Sequence, residues 1–148
     1  SNIIPDFAEL DITLRTLSQE NRVALRDKVI QLAEGIASAH GLTASTRVAE
    51  SYPPTINDLA EYDFALQVID DLFGPDAYAE RPNPEMGAED FSFVMEQVPG
   101  AYLFLGCCPT DDPATAPDNH SPRAGFDDAH LWQASAWLAE VALRRCSA

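Results

Sequence analysis

Hydrophobic and polar residues alternate strictly along residues 8–15. Apolar side chains occupy the even positions of this segment, and polar ones, with Arg15 the last, occupy the odd positions. A period of two residues is typical of a strand that packs on one side only. We therefore predict a strand over residues 8–15 that places Arg15 on its polar face.

The spacing of apolar residues becomes helical after this strand. Ser18 is a suitable N-cap for a helix through about Ala39, and Gly41 supplies its C-terminal stop. Asn57 is predicted to cap the next helix, which ends before Gly74. The remaining predicted helices are a short one that ends near residue 97 and a final one over about residues 127–145, where acidic residues at the start and arginines at the end suit the helix dipole.

Two further strands are predicted, a short one at residues 45–51 and a continuous apolar run at 101–106. An apolar run of that length is typical of a strand buried on both faces of a parallel sheet. The pattern therefore predicts a mixed α and β fold. The first unit, with two strands and one helix, is too small to bury a core alone, so we expect the chain to be a piece of something larger.

Composition and charge limit the classes of partner. The 148 residues, 46% hydrophobic and 22% charged, suffice for one ordinary core. Nine Lys and Arg against 24 Asp and Glu give a net charge of -15, which disfavours nucleic acid and anionic membrane surfaces as partners. Neither a bilayer-spanning apolar run nor the start of a signal peptide is recognisable, so the predicted location is cytoplasmic.

Two sets of residues carry potential metal or nucleophile chemistry. Cys107, Cys108 and Cys146 form neither a disulfide framework nor a C-x-x-C metal motif, and we interpret them as thiols without a catalytic role. His120 lies in a loop rich in proline and glycine. An imidazole there can be a metal ligand, a base or an ordinary polar loop residue, and its spacing alone does not decide among them.

Several blocks in order along the chain resemble the hippurate hydrolase-like amidohydrolases, which belong to a wider di-metal family of aminoacylases and carboxypeptidases. The blocks cover nearly the whole chain, so together they are more specific than any one alone. They are residues 2–6 (NIIPD) with 12–16 (ITLRT), 52–58 (YPPTIND), 86–92 (MGAEDFS), 99–106 (PGAYLFLG) and 120–122 (HSP).

The resemblance implies a zinc-peptidase type of architecture, in which a lid domain interrupts an α/β catalytic domain. Residues 1–52 would be the second half of an α+β lid that also carries the dimer contact, and residues 53–148 would close the catalytic domain. The family's earlier metal motifs have no counterpart in this sequence. We therefore expect a C-terminal half that needs its N-terminal half as a partner, whether as a separate chain or as a lost segment.

The resemblance also assigns roles to single residues. His120 would be a ligand of one of two divalent ions, which are zinc, manganese, cobalt or nickel, although this chain alone would bind none tightly. Arg15 would bind a substrate carboxylate and Asn2 the scissile carbonyl or its oxyanion. For Arg15, pairing with Glu9 or Asp11 on an exposed strand remains the alternative.

The loop at residues 86–90 would contribute substrate-binding N–H groups from Gly87 and Ala88 near a helix start. For Glu89 and Asp90, simple stabilisation of that helix start remains the alternative. Relatives often have Arg-Phe-Asp-Phe after the His-Ser-Pro block, whereas this chain has RAGF at residues 123–126. The missing aromatic residue puts the shape of the substrate pocket in doubt, but not the metal role of His120.

Together these features predict part of a metal-dependent amidohydrolase that cleaves N-acyl amino acids or small peptides and that forms a homodimer through its lid. The isolated chain would be inactive. The alternative is a non-catalytic oligomerisation or binding module, because the sequence lacks a complete set of metal ligands.

Overall fold

The computed structural model describes residues 4–147. Within these residues four α-helices follow one another: α1 (Gln19–Ala39), α2 (Leu59–Phe73), α3 (Phe91–Met95) and α4 (Leu131–Cys146). Two short 3-10 helices precede α4, at Pro113–Thr115 and at Asp128–His130. No helix within the described residues is both long and apolar enough to cross a bilayer.

Local capping explains where α1 and α2 begin and end. The Ser18 hydroxyl accepts a hydrogen bond from the Asn21 N–H at 3.1 Å, as predicted for the N-cap of α1. Gly41, with φ +71°, and Gly74, with φ +90°, follow the two helices in the left-handed region that favours glycine. The predicted stops of both helices are thus confirmed.

The predicted cap of α2 was wrong by one residue. Asp58 caps this helix, because its carboxylate accepts from the N–H groups of Ala60 at 2.9 Å and Glu61 at 3.1 Å. Asn57 instead binds the backbone of Tyr102, where its Oδ1 accepts from the N–H at 2.8 Å and its Nδ2 donates to the carbonyl at 3.3 Å. Asn57 therefore fastens the start of α2 to the segment 101–106.

The expected α/β class is not confirmed by the described residues, since none of the three predicted strands is paired in a sheet. Strands are held by hydrogen bonds to a neighbouring strand, and residues 4–147 supply none for these segments. Leu10 is 82% exposed and Ile12 61%, so the apolar face of residues 8–15 is uncovered. Phe104, predicted to be buried on both sides, is also 61% exposed.

The chain divides into two compact units. One contains the residues up to Thr55 together with Pro82–Val94, and the other contains Ile56–Arg81 together with the residues from Met95 onward. The predicted boundary at the adjacent prolines lies close to the first of these divisions. The assignment of residues 1–52 to a lid and of 53–148 to a catalytic domain stays a prediction.

Charged contacts join α1 to the segment that follows it in the first unit. Arg22 Nη2 donates to the Ser51 carbonyl at 3.2 Å. Arg26 binds Glu50 at 3.1 Å and Asp27 at 2.9 Å, and its hydrogen bond to Asp27 is the main reason that its pKa is raised. Exposed ion pairs contribute little to stability, so these contacts mainly orient residues 50–51 beside the helix.

The second unit is built around α2 and α4. Val68 and Ala65 of α2 are its buried apolar residues, and the Trp137 indole N–H donates to the Ala65 carbonyl at 3.2 Å. The rings of Phe73 and Trp132 meet edge to face, with centroids 5.8 Å apart. The Trp137 hydrogen bond and the Phe73–Trp132 ring pair thus each join α4 to α2.

Arginines near the end of α4 reinforce this pair of helices. Arg144 Nη1 lies 2.6 Å from an Asp71 carboxylate oxygen, and Arg144 Nε lies 2.7 Å from Glu140. The hydrogen bond to Asp71 is the main reason that the pKa of Arg144 is raised. Arg145 binds the Glu61 carboxylate and places its guanidinium 4.1 Å from the centre of the Phe64 ring. Both arginines thus hold α4 to α2 as well as complementing the helix dipole.

A tyrosine pair in the second unit should be visible in an alkaline titration. The hydroxyls of Tyr62 and Tyr78 lie 2.7 Å apart, and this hydrogen bond, followed by burial, raises the pKa of Tyr62 from 10.0 to about 12. Since the protonated phenol is favoured in the folded chain, this contribution to stability is complete below pH 10 and is lost as the pH rises through about 12.

We expect Tyr78→Phe to lower the pKa of Tyr62 towards 10.0, as measured by phenolate absorbance across the pH range. Tyr52→Phe is the matched control, because Tyr52 packs on the Phe93 ring instead, with centroids 5.8 Å apart. A late-ionising tyrosine that persists in Tyr78→Phe, or that disappears in Tyr52→Phe, would contradict this assignment.

Candidate functional site

Arg15 contacts the glycine-containing loop that the resemblance assigns to substrate binding. Its side chain is exposed, and Nη1 donates to the Met86 carbonyl at 2.6 Å. The alternative role for Arg15 was an ion pair with Glu9 or Asp11 on an exposed strand. Neither residue forms an ion pair with Arg15 in the described structure. A guanidinium carries five N–H donors in a planar fork, so one bond to a carbonyl still allows it to bind a carboxylate.

Gly87 and Ala88 lie directly beyond this contact and are exposed. Their N–H groups donate to no backbone carbonyl or side chain of the described residues. A methyl group added at Gly87 would meet no heavy atom within 4 Å, and its φ is not positive. Neither packing against the described residues nor backbone conformation therefore requires a glycine at position 87.

Glu89 acts at the start of α3. Its carboxylate accepts from the Phe91 N–H at 3.0 Å, and its carbonyl accepts from the buried Ser92 hydroxyl at 2.6 Å. The structural role that was the alternative for Glu89 is therefore present. Because α3 has only five residues, its dipole adds little attraction for an anion at Gly87 and Ala88.

His120 lies in the second unit, in a turn that Asp118 organises. Asp118 Oδ1 accepts from the His120 N–H at 2.9 Å, and the Asp118 carbonyl accepts from the Ser121 N–H at 2.8 Å. The imidazole is exposed and makes no hydrogen bond to another residue in the range 4–147. The turn therefore fixes the backbone of His120 and leaves its ring available to a ligand.

Sequence reasoning overlooked Asp118. An aspartate two residues before the residue whose N–H it accepts is a recognisable Asx turn, and the spacing Asp118 to His120 would have indicated it. The histidine was thus found through its motif, while the residue that sets its backbone could have been found through local turn chemistry.

The described structure brings together only some of the predicted site residues. Arg15, Gly87 and Ala88 belong to the first compact unit, and His120 belongs to the second. Asn2 lies outside the described residues. Within residues 4–147 no three or more His, Cys, Asp or Glu side chains are grouped so that they could hold a metal ion. The described residues therefore do not fit a complete metal centre.

Comparison with known proteins finds similarity along almost the whole chain. Residues 7–144 match the family model for peptidase family M20/M25/M40. The chain is 31% identical to hippurate hydrolase from Campylobacter jejuni over 143 residues, which are 97% of this chain and 36% of that protein.

Two other relatives are named for different activities. N-acetylcysteine deacetylase from Bacillus subtilis is 31% identical over 96% of this chain and 35% of its own length. Thermostable carboxypeptidase 1 from Saccharolobus solfataricus is 30% identical over 86% of this chain and 31% of its own length. The chain thus spans about a third of the length of the curated relatives it matches.

Proposed function

The chain belongs to peptidase family M20/M25/M40, and we propose that it is the C-terminal part of a metal-dependent amidohydrolase. Its substrates are N-acyl amino acids or small peptides, whose amide bond is hydrolysed. The observation that carries this proposal is the match to hippurate hydrolase over 97% of the chain. The deacetylase and carboxypeptidase relatives support the wider substrate class rather than one acyl group.

Substrate binding is the proposed task of the first unit. The Arg15 guanidinium binds the carboxylate of the amino acid, and the N–H groups of Gly87 and Ala88 donate to the same group. The 2.6 Å contact between Arg15 and Met86 supports this role, because it brings the cation beside the loop that carries those N–H groups. Asn2 would hydrogen-bond the scissile carbonyl and its oxyanion.

Metal binding is the proposed task of His120, together with ligands from outside this chain. A catalytic site normally has about three protein ligands, and residues 4–147 offer no group of that size. The exposed ring of His120, on a backbone fixed by Asp118, supports its role as one ligand of a pair of divalent ions. In this proposal zinc, manganese, cobalt or nickel completes the site only when the rest of the protein is present.

Two further features belong to the proposal. Residues 1–52 are the second half of a lid through which two copies form a dimer, and residues 53–148 close the catalytic domain. The cytoplasm is the proposed location. The competing possibility is a non-catalytic oligomerisation or binding module, in which the described residues need no metal centre.

The test is a hydrolysis assay with a protein that has the length of the family members. We expect release of free amino acid from a panel that includes N-benzoylglycine, N-acetylcysteine and dipeptides, and we expect a chelator to stop it until a divalent metal is restored. The 148-residue chain alone is the matched control and should be inactive. If no member of the panel released amino acid in the presence of metal, the result would favour the binding module.

A further inference from the structure

Ser92 is a buried residue with a hydroxyl to which the proposed function gives no role. It is only 1% exposed. Its hydroxyl donates to the Glu89 carbonyl at 2.6 Å, and its backbone N–H donates to the same carbonyl at 3.3 Å. A buried hydroxyl without a partner would cost free energy, so this side chain is committed to the carbonyl. The bond acts on Glu89, the residue directly after Gly87 and Ala88.

Glu89 is held through its side chain as well as through its backbone. Its carboxylate accepts from the Phe91 N–H at 3.0 Å, while its carbonyl accepts from Ser92. Both bonds lie at the start of α3 and together restrict rotation about the backbone of Glu89. The direction in which the chain leaves the loop at residues 86–88 is therefore fixed.

The helix α3 has an anchor of its own within the first unit. Five residues do not form a stable helix in isolation, so α3 depends on contacts with other segments. The Phe93 ring supplies one such contact by packing on the Tyr52 ring, with centroids 5.8 Å apart. At the other end of the loop, Arg15 holds the Met86 carbonyl at 2.6 Å. Residues 86–89 are thus held at both ends.

We propose that Ser92 is a positioning residue, which acts through Glu89 to hold the N–H groups of Gly87 and Ala88 in the orientation that binds a substrate carboxylate. This inference rests on the proposed function of that loop. The two N–H groups donate to no carbonyl or side chain of the described residues, so their direction depends on how the ends of the loop are held. A carboxylate remote from the scissile bond is bound alike before and during the reaction, so a misplaced loop raises KM rather than lowering kcat.

The first test is NMR relaxation of the 148-residue chain, which needs neither metal nor hydrolytic activity. The backbone order parameters of Gly87 and Ala88 should be about 0.85 in the unaltered chain, as in rigid backbone, and should fall below about 0.6 in Ser92→Ala. Ser135→Ala is the matched control, because the Ser135 hydroxyl also donates to a backbone carbonyl, that of Leu131 at 3.1 Å, but does so in α4. Low order parameters in the unaltered chain, or values that Ser92→Ala leaves unchanged, would overturn the proposal.

The second test is the hydrolysis of N-acyl amino acids and of their amides by the family-length protein. A misplacement of about 1 Å can cost about 100-fold, so Ser92→Ala should raise KM for the acids by about 10- to 100-fold. Both kcat and the KM for the amides should change much less, because only the acids present a carboxylate to the loop. An equal rise of KM for acids and amides, or a fall of kcat alone, would contradict the positioning role.

Val68→Ala separates this role from a simple loss of stability. Val68 is fully buried in the second unit, so its truncation should lower the melting temperature without changing the ratio of the two KM values. A ratio that changed equally in Val68→Ala and Ser92→Ala would show that Ser92 acts through stability alone. If the unaltered protein hydrolysed no substrate, the proposed function would fail, while the order parameters of the unaltered chain would still decide whether the loop is held.

Discussion

Replacing His120 by alanine is expected to remove metal-dependent hydrolysis from a protein of family length. The imidazole is the one metal ligand that the family resemblance assigns to this chain, and a missing ligand cannot be replaced by the methyl group of alanine. Changes to residues that merely support metal ligands cost about 10- to 100-fold in affinity or activity, so loss of the ligand itself should exceed that range. Metal content by mass spectrometry and turnover of an N-acyl amino acid should fall together.

His130→Ala is the matched control for this experiment. His130 is a second exposed histidine of the same unit, but its ring contacts Gln133 at 2.9 Å and Asp127 at 3.7 Å, which gives it a local structural role. We expect this variant to keep its metal and its turnover. If His120→Ala retained full activity, or if both variants lost metal equally, His120 would not be a ligand.

The helices were predictable from sequence because the forces that set their limits are local. Ser18 and Gly41 act within one turn of the ends of α1, so the pattern of the chain alone indicates them. The error at α2, by contrast, has a non-local cause. Asn57 and Asp58 are both good caps, and the choice between them depends on Tyr102, which lies 45 residues away and binds the Asn57 amide.

The strands were not predictable in the same way, because a strand depends on a neighbour. The alternation of residues 8–15 predicts an apolar face, but Leu10 and Ile12 are largely exposed in the described residues. A period of two residues indicates which side chains a segment could bury, but it does not indicate which strand would pair with that segment. The chain spans about a third of its relatives' length, and we propose that the remaining part covers these faces.

The candidate site was predictable to the level of residue types and motifs. Alternation placed Arg15 on a polar face, yet its contact with Met86 joins residues 71 positions apart and has no local signature. Cys107 and Cys108 were interpreted as thiols without a catalytic role because they form neither a disulfide framework nor a C-x-x-C motif, and that interpretation stays a prediction.

Replacing Arg15 by alanine is expected to leave metal content intact and to weaken substrate binding and turnover in the family-length protein. Hydrogen bonds to charged groups contribute about 1.5–3 kcal/mol, so we expect kcat/KM to fall by about 10- to 150-fold. The loss should be large for substrates with a free carboxylate and small for the corresponding amides, because only the carboxylate needs the cation. Kinetics with each acid and its amide measure this difference.

Arg22→Ala separates this role from a purely structural one. Arg22 belongs to the same compact unit, and its guanidinium also donates to a backbone carbonyl, that of Ser51 at 3.2 Å. If Arg15 acted only by holding the Met86 carbonyl, the two variants would lower kcat/KM alike for acids and amides. We expect instead that only Arg15→Ala discriminates between them, since only Arg15 combines that backbone bond with a position beside Gly87 and Ala88. A variant Arg15→Ala that lost its metal, or that treated acids and amides equally, would show that the residue does not bind the substrate carboxylate.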